Sequence, residues 1–163
     1  MINSYVCIDL ETTGLNPKLD KIIEIGAIKV IEGKETERFT TFVNPGRKLE
    51  PHILELTKIT QEQVDNAPFI EQVLPGLMEF LEDFPLVGHR ILFDYSFLKK
   101  AAVNQKYRFE KKGIDTLRIA RVFLPQLERR TLEYLCNYYR IEHLAHRATE
   151  DAKATGKLYE ILV

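Results

Sequence analysis

A short run close to the start, Tyr5-Val-Cys-Ile-Asp-Leu-Glu11, limits most strongly what this chain can fold into. Tyr5 to Leu10 reads as a buried strand. Side chains alternate along a strand, so Asp9 and Glu11 fall on one face while Ile8 and Leu10 fall on the other. Two carboxylates side by side on a central strand repel each other and lose hydration. They must either take up protons at raised pKa values or hold a cation. The alternative is a strand that stops at Leu10 and leaves Glu11 a solvated loop acid; the fragment alone leaves both open.

The rest of the chain has to supply partners for that strand. Ile22 to Ile31 and Arg38 to Val43 flank a turn at Glu32-Gly33-Lys34, which predicts an antiparallel hairpin. From Pro51 onward the pattern is mainly helical. Phe69 to Leu81, Phe93 to Val103, Leu117 to Phe123, Leu132 to Tyr139 and Ala148 to Leu162 carry apolar residues at three- and four-residue spacing. Leu86-Val87-Gly88 and Ile114-Asp115-Thr116 are short apolar pieces between helices and read as further strands. A hairpin followed by alternating strands and helices predicts an α/β domain with a mixed sheet.

Nothing divides the chain: it has no internal repeat, low-complexity tract or linker, and 163 residues at 45% apolar content suit one domain, 1–163. No apolar run approaches the roughly 20 residues that span a bilayer, and Met1 leads almost directly into a strand, so a cytoplasmic protein without membrane contact is expected. Cys7 and Cys136 form neither a disulfide framework nor a ligand spacing and read as reduced core thiols. A net charge of −1 argues against a protein that coats duplex DNA through broad electrostatics. Bound cations would change the local field, however, because they are often a site's largest charges.

Two further acids sit where apolar residues would be expected. On a helix, Asp94 lies above Phe97, Leu98 and Ala101, the apolar stripe, rather than beside Lys99 and Lys100. Asp151 shares a row with Thr155, Leu158 and Leu162, while Glu150 and Lys153 face away. A helix cap would account for Asp94 alone. Four carboxylates from separated segments, each at the inner end of its element, are harder to account for as solvated surface. Oxygen ligands without a cysteine or histidine cage favour Mg²⁺ or Mn²⁺ over zinc. Paired ions about 3.5–4 Å apart are a recurring device for in-line displacement at phosphorus. His146 belongs on the loop entering the last helix, and His52, His89 and His143 compete with it for any catalytic role.

These residues resemble the DEDDh group of 3' to 5' exonucleases, which includes the proofreading epsilon subunit and the proofreading domains of bacterial replicative polymerases. Three motifs in order carry the resemblance: Asp9-Leu-Glu11-Thr12-Thr13-Gly14-Leu15, Gly88-His89-Arg90-Ile-Leu-Phe93-Asp94, and His146-Arg-Ala-Thr-Glu-Asp151-Ala. Ile22-Ile-Glu-Ile-Gly26-Ala and Leu56-Thr57-Lys58-Ile59-Thr60 look like the family's hairpin strand and substrate-side loop. The resemblance implies a ribonuclease H-like fold, a mixed five-stranded sheet flanked by helices. It implies that Asp9, Glu11, Asp94 and Asp151 hold two divalent cations, Mg²⁺ or Mn²⁺, and that His146 takes the proton of the attacking water. Thr12, Thr13, Gly14 and Leu15 would border the terminal nucleotide, with Leu15 and Ile59 against its base.

The implied substrate is single-stranded DNA or a frayed 3' end, in proofreading or repair, with a DNA polymerase subunit as partner. RNA trimming and a polymerase-docking module without catalysis are the alternatives, and the complete set of four acids and a histidine speaks against the latter. Arg90 stands where the family commonly has asparagine, and Lys58 where glycine is frequent.

Overall fold

The computed structural model describes residues 1–163. Five strands form one sheet: β1 (Tyr5–Thr12), β2 (Ile22–Ile31), β3 (Lys34–Phe42), β4 (Leu86–Gly88) and β5 (Gly113–Asp115), in the order β3-β2-β1-β4-β5. β1 to β3 are antiparallel, whereas β4 runs parallel to β1 and β5 parallel to β4. The expected mixed five-stranded sheet is therefore present. β1 lies in its middle, and the ladder with β2 continues past Leu10, pairing Glu11 with Glu24. Glu11 is thus a strand residue and not a loop acid.

Helices cover both faces because β1 and β2 are apolar on both. On one face Val6, Ile8 and Leu10 pack with Leu74, Leu77 and Leu81 of α3 (Ile70–Leu81) and with Phe97 and Leu98 of α4 (Ile91–Asn104). On the other, Tyr5 and Cys7 meet Ala152 and Tyr159 of α7 (Ala148–Leu162). Tyr5 and Tyr159 stack edge to face with centroids 5.0 Å apart. α5 (Thr116–Phe123) and α6 (Leu132–Tyr139) pack on α7 through Ala120, Leu135, Leu158 and Leu162. Cys7 and Cys136 are buried free thiols, as expected. No helix is long and apolar enough to cross a membrane.

Two short helices were not expected as separate elements, α1 (Pro51–Thr57) and α2 (Gln61–Asp65). Both are too short to show a helical period. Local chemistry makes them instead: Pro51 opens α1, and Thr60 and Gln63 form a reciprocal capping box at α2. The unusual residues at 58 and 90 also find a local account. Lys58 (φ 60) ends α1 and Arg90 (φ 68) precedes α4, both in the left-handed region where glycine and asparagine are favoured. The backbone shape that glycine or asparagine would give is retained here at some strain.

Candidate active site

The acids converge at one end of β1. Asp9, Glu11 and Asp151 each offer an oxygen within 4.8 Å of the other two. Alternation puts Asp9 and Glu11 on the α7 side of the sheet, beyond Cys7, and the first turn of α7 lowers Asp151 onto them. Asp94, in the first turn of α4, is 2% exposed, and its Oδ1 accepts the Leu10 N–H at 3.0 Å. It is not a solvated helix cap: its hydrogen bond ties α4 to β1.

This cluster is electrostatically unfavourable by itself. Burial holds the Asp9 carboxyl well above the ordinary carboxylate range, and Asp94, Asp151, Glu11 and Glu24 add to the shift. Asp94 is raised by burial against the opposing pull of the Leu10 N–H. Glu11 is pushed up to about 7, by burial first and then by Asp151 and Glu24, with Arg147 opposing. Asp151 is also raised by burial, against a hydrogen bond with His143 and a backbone bond from His146. Asp9 Oδ2 is buried with no hydrogen-bond partner. An orphaned carboxylate oxygen among three other acids fits a divalent cation held by Asp9, Glu11 and Asp151, with Asp94 behind them.

These shifts set a pH dependence. A carboxyl whose pKa is higher in the folded chain stabilises the fold below its unfolded value, and that contribution is lost as pH rises through the folded value. For Glu11 the window runs from about 4.5 to about 7. In chelator the protein should therefore melt lower at pH 8 than at pH 5.5, each kcal/mol lost lowering Tm by about 2–4 °C. Glu11→Gln should show a smaller loss over the same window. Parallel slopes for the two proteins in scanning calorimetry would show that Glu11 is not the titrating group.

The remaining expected residues divide by position. Thr12, the last residue of β1, and Thr13 and Gly14 in the loop that follows are half-buried, and Leu15 is 79% exposed. Asp20 secures that loop: its Oδ1 accepts from Thr13 Oγ1 and its Oδ2 accepts from Asn16 N at 3.0 Å. Ile59 departs from expectation. It is 1% exposed in a cluster with Ile23, Leu49, Ile53 and Val64, so core packing takes the side chain assigned to the terminal base. Its neighbours Lys58 and Thr60 are the exposed residues of that loop.

The histidines divide unexpectedly. His146 (φ 65) is exposed on the loop before α7. His143 is instead the imidazole in contact with Asp151, its Nε2 against Oδ1. His89 has both ring nitrogens engaged, by Thr116 Oγ1 at 2.8 Å and the Arg130 carbonyl at 2.7 Å, and braces the β4–α4 turn. Glu24 and Arg147 were not foreseen. Glu24 accepts the Ala148 N–H, and Arg147 lies over the Phe42 ring at 5.3 Å. The available signal was the lone acid in the apolar run Ile22-Ile-Glu-Ile.

Comparison with known proteins gives the family. The exonuclease family profile matches residues 6–159. The DNA polymerase III PolC-type protein of Clostridium perfringens is 40% identical over 157 residues, 96% of this chain and 11% of that protein. Its counterpart in Thermotoga maritima is 37% identical over 160 residues, 96% of this chain and 12% of that protein. The chain thus spans about a tenth of the length of these polymerases. Exonuclease X, solved in complex with 5' overhanging duplex DNA, superposes with a TM-score of 0.80 at 26% identity, covering 97% of this chain and 90% of that one. The nuclease domain of 3'hExo, a DEDDh family member bound to rAMP, shares the fold at a TM-score of 0.80 and 21% identity, covering 96% and 90%. By profile and relatives, with the fold in agreement, this chain belongs to the exonuclease family and is a nuclease of the hydrolase class.

Proposed function

We propose that the chain removes nucleotides one at a time from the 3' end of single-stranded or frayed DNA, in proofreading or repair beside a cytoplasmic DNA polymerase. The observation that carries this reading is the meeting of Asp9, Glu11 and Asp151 oxygens within 4.8 Å, beside a buried, unpartnered Asp9 Oδ2. Two ions, Mg²⁺ or Mn²⁺, held by these acids and Asp94 would neutralise charge on the phosphoryl group and acidify the attacking water. The chain's own residues do the rest. Thr12, Thr13 and Gly14 border the terminal sugar, and exposed Leu15 lies against its base. His146, exposed at the mouth of the site, accepts the water proton as the new oxygen–phosphorus bond forms and the bond from phosphorus to the 3' oxygen breaks. A nucleoside 5'-monophosphate leaves, and the shortened strand keeps a 3' hydroxyl.

The polymerase setting rests on the PolC-type relatives, and the choice of DNA on the overhanging duplex that Exonuclease X holds in its complex. One observation favours a second assignment of the base: His143, not His146, is the imidazole whose ring touches Asp151. Substrate class is tested with end-labelled DNA and RNA of one sequence, and with matched and mismatched duplex ends. Single-stranded DNA and mismatched ends should be shortened fastest. RNA shortened as fast as DNA would move the reading to RNA trimming.

A further inference from the structure

The helix that bears Asp151 lacks a cap of its own. At the N-terminus of α7, Arg147 makes no side-chain capping bond. The first helical N–H, that of Ala148, is instead taken at 2.9 Å by Glu24 Oε1, from a strand 124 residues away. Glu24 is itself 6% exposed and stands on β2 opposite Glu11. Two residues along β2, Gly26 lets the same turn approach: a Cβ there would lie 2.2 Å from Thr149 N and 2.3 Å from the Ala148 carbonyl carbon. Thr149 is tied one strand further out, by Thr149 Oγ1 to Thr40 Oγ1 at 2.8 Å. The start of α7 is thus seated on β2 and β3 while its next residues reach the acids of β1.

We infer that Glu24 is a positioning residue for catalysis, the in-trans cap that fixes the first turn of α7 and so sets where the Asp151 carboxylate meets Asp9 and Glu11. A fifth acid beside four others adds repulsion, and burial of its charge is costly. A role that only fills space would be served by an apolar residue, as at Ile23 and Ile25 on either side. What the carboxylate adds is an acceptor aimed at a helix N-terminus, where negative charge is favoured. Asp151 lies three residues beyond Ala148, less than one helical turn, so a shift at the cap moves the ligand almost equally. The Glu24 Oε1 is taken by the Ala148 N–H, so Glu24 acts through the helix.

The inference rests on the exonuclease reading for the purpose of Asp151, and its test separates the two. Wild type, Glu24→Ala, Glu24→Asp and Glu24→Gln would be compared by Mn²⁺ calorimetry and by amide hydrogen exchange. Glu24→Ala should bind Mn²⁺ about tenfold more weakly, the scale typical of lost outer-shell support. Amides 148–151 should exchange at least about tenfold faster, with the strands unchanged. Glu24→Gln keeps an Oε1 acceptor and should recover both to within about threefold. Glu24→Asp keeps the charge but falls short of the helix and should resemble Glu24→Ala, which decides the matter even if the alanine variant does not fold. Wild-type exchange and Mn²⁺ affinity in Glu24→Asp would overturn the inference. So would a glutamine variant as weak as Glu24→Asp, since a neutral acceptor of full reach would then fail to seat the helix. Failure of the wild type to bind Mn²⁺ would count against the exonuclease reading, while the exchange data would still decide whether Glu24 holds the helix.

Discussion

Replacing Asp94 by asparagine is expected to abolish cleavage and yet leave the metal-free protein melting at or above the wild-type temperature. The geometry explains both. Asp94 Oδ1 accepts the Leu10 N–H, and asparagine retains that oxygen in nearly the same shape, so the tie between α4 and β1 survives. What is lost is a buried carboxyl whose ionisation burial and the neighbouring acids oppose. Removing it relieves repulsion, which favours the folded metal-free state. The same change removes a charge from the proposed metal site, and activity should fall more than about a hundredfold, beyond the usual cost of losing outer-shell support. Mn²⁺ should raise the wild-type Tm more than that of Asp94→Asn, since a ligand confined to the folded state contributes roughly 2.7 kcal/mol at a hundredfold excess over Kd. Melts in chelator and in Mn²⁺ check this, and an active Asp94→Asn enzyme would contradict it.

His146→Ala should lower turnover about 10²–10⁴-fold, the contribution typical of a general base, while Mn²⁺ affinity and Tm stay near wild type. The exposed position of His146 on a left-handed turn leaves its ring unengaged by the fold. His143→Ala should change turnover less than about threefold, though it removes the contact with Asp151 Oδ1. The two variants are read together by single-turnover rates at saturating Mn²⁺. If His143→Ala were the inactive one and His146→Ala lost metal affinity, the roles of the two histidines would have to be exchanged.

What could be seen in the sequence was whatever repeats with a period. β2 and α7 lie where their apolar spacing placed them, because each buries a long face and the burial sets the pattern. The three acids that meet were legible for the opposite reason, as charges on positions that the same spacing reserves for the core. Short elements were not legible: α1 and α2 are set by a proline and a capping box over a few residues. Ile59 shows another limit, since a loop side chain carries no sign of whether it faces a ligand or its own core. Glu24 shows a third. Its partner, the Ala148 N–H, is a backbone group far along the chain, and no residue type at 148 advertises that it needs an acceptor.

The most direct test of the central claim is the time course of a single-stranded DNA carrying a label at either end, in Mn²⁺ and in chelator. A metal-dependent 3' to 5' exonuclease should release a 3' label at once as mononucleotide and shorten a 5'-labelled strand in single-nucleotide steps. Both reactions should stop in chelator, and a circular single strand should be left intact. Release of the 5' label first, internal fragments from the circle, or undiminished cleavage in chelator would contradict the account.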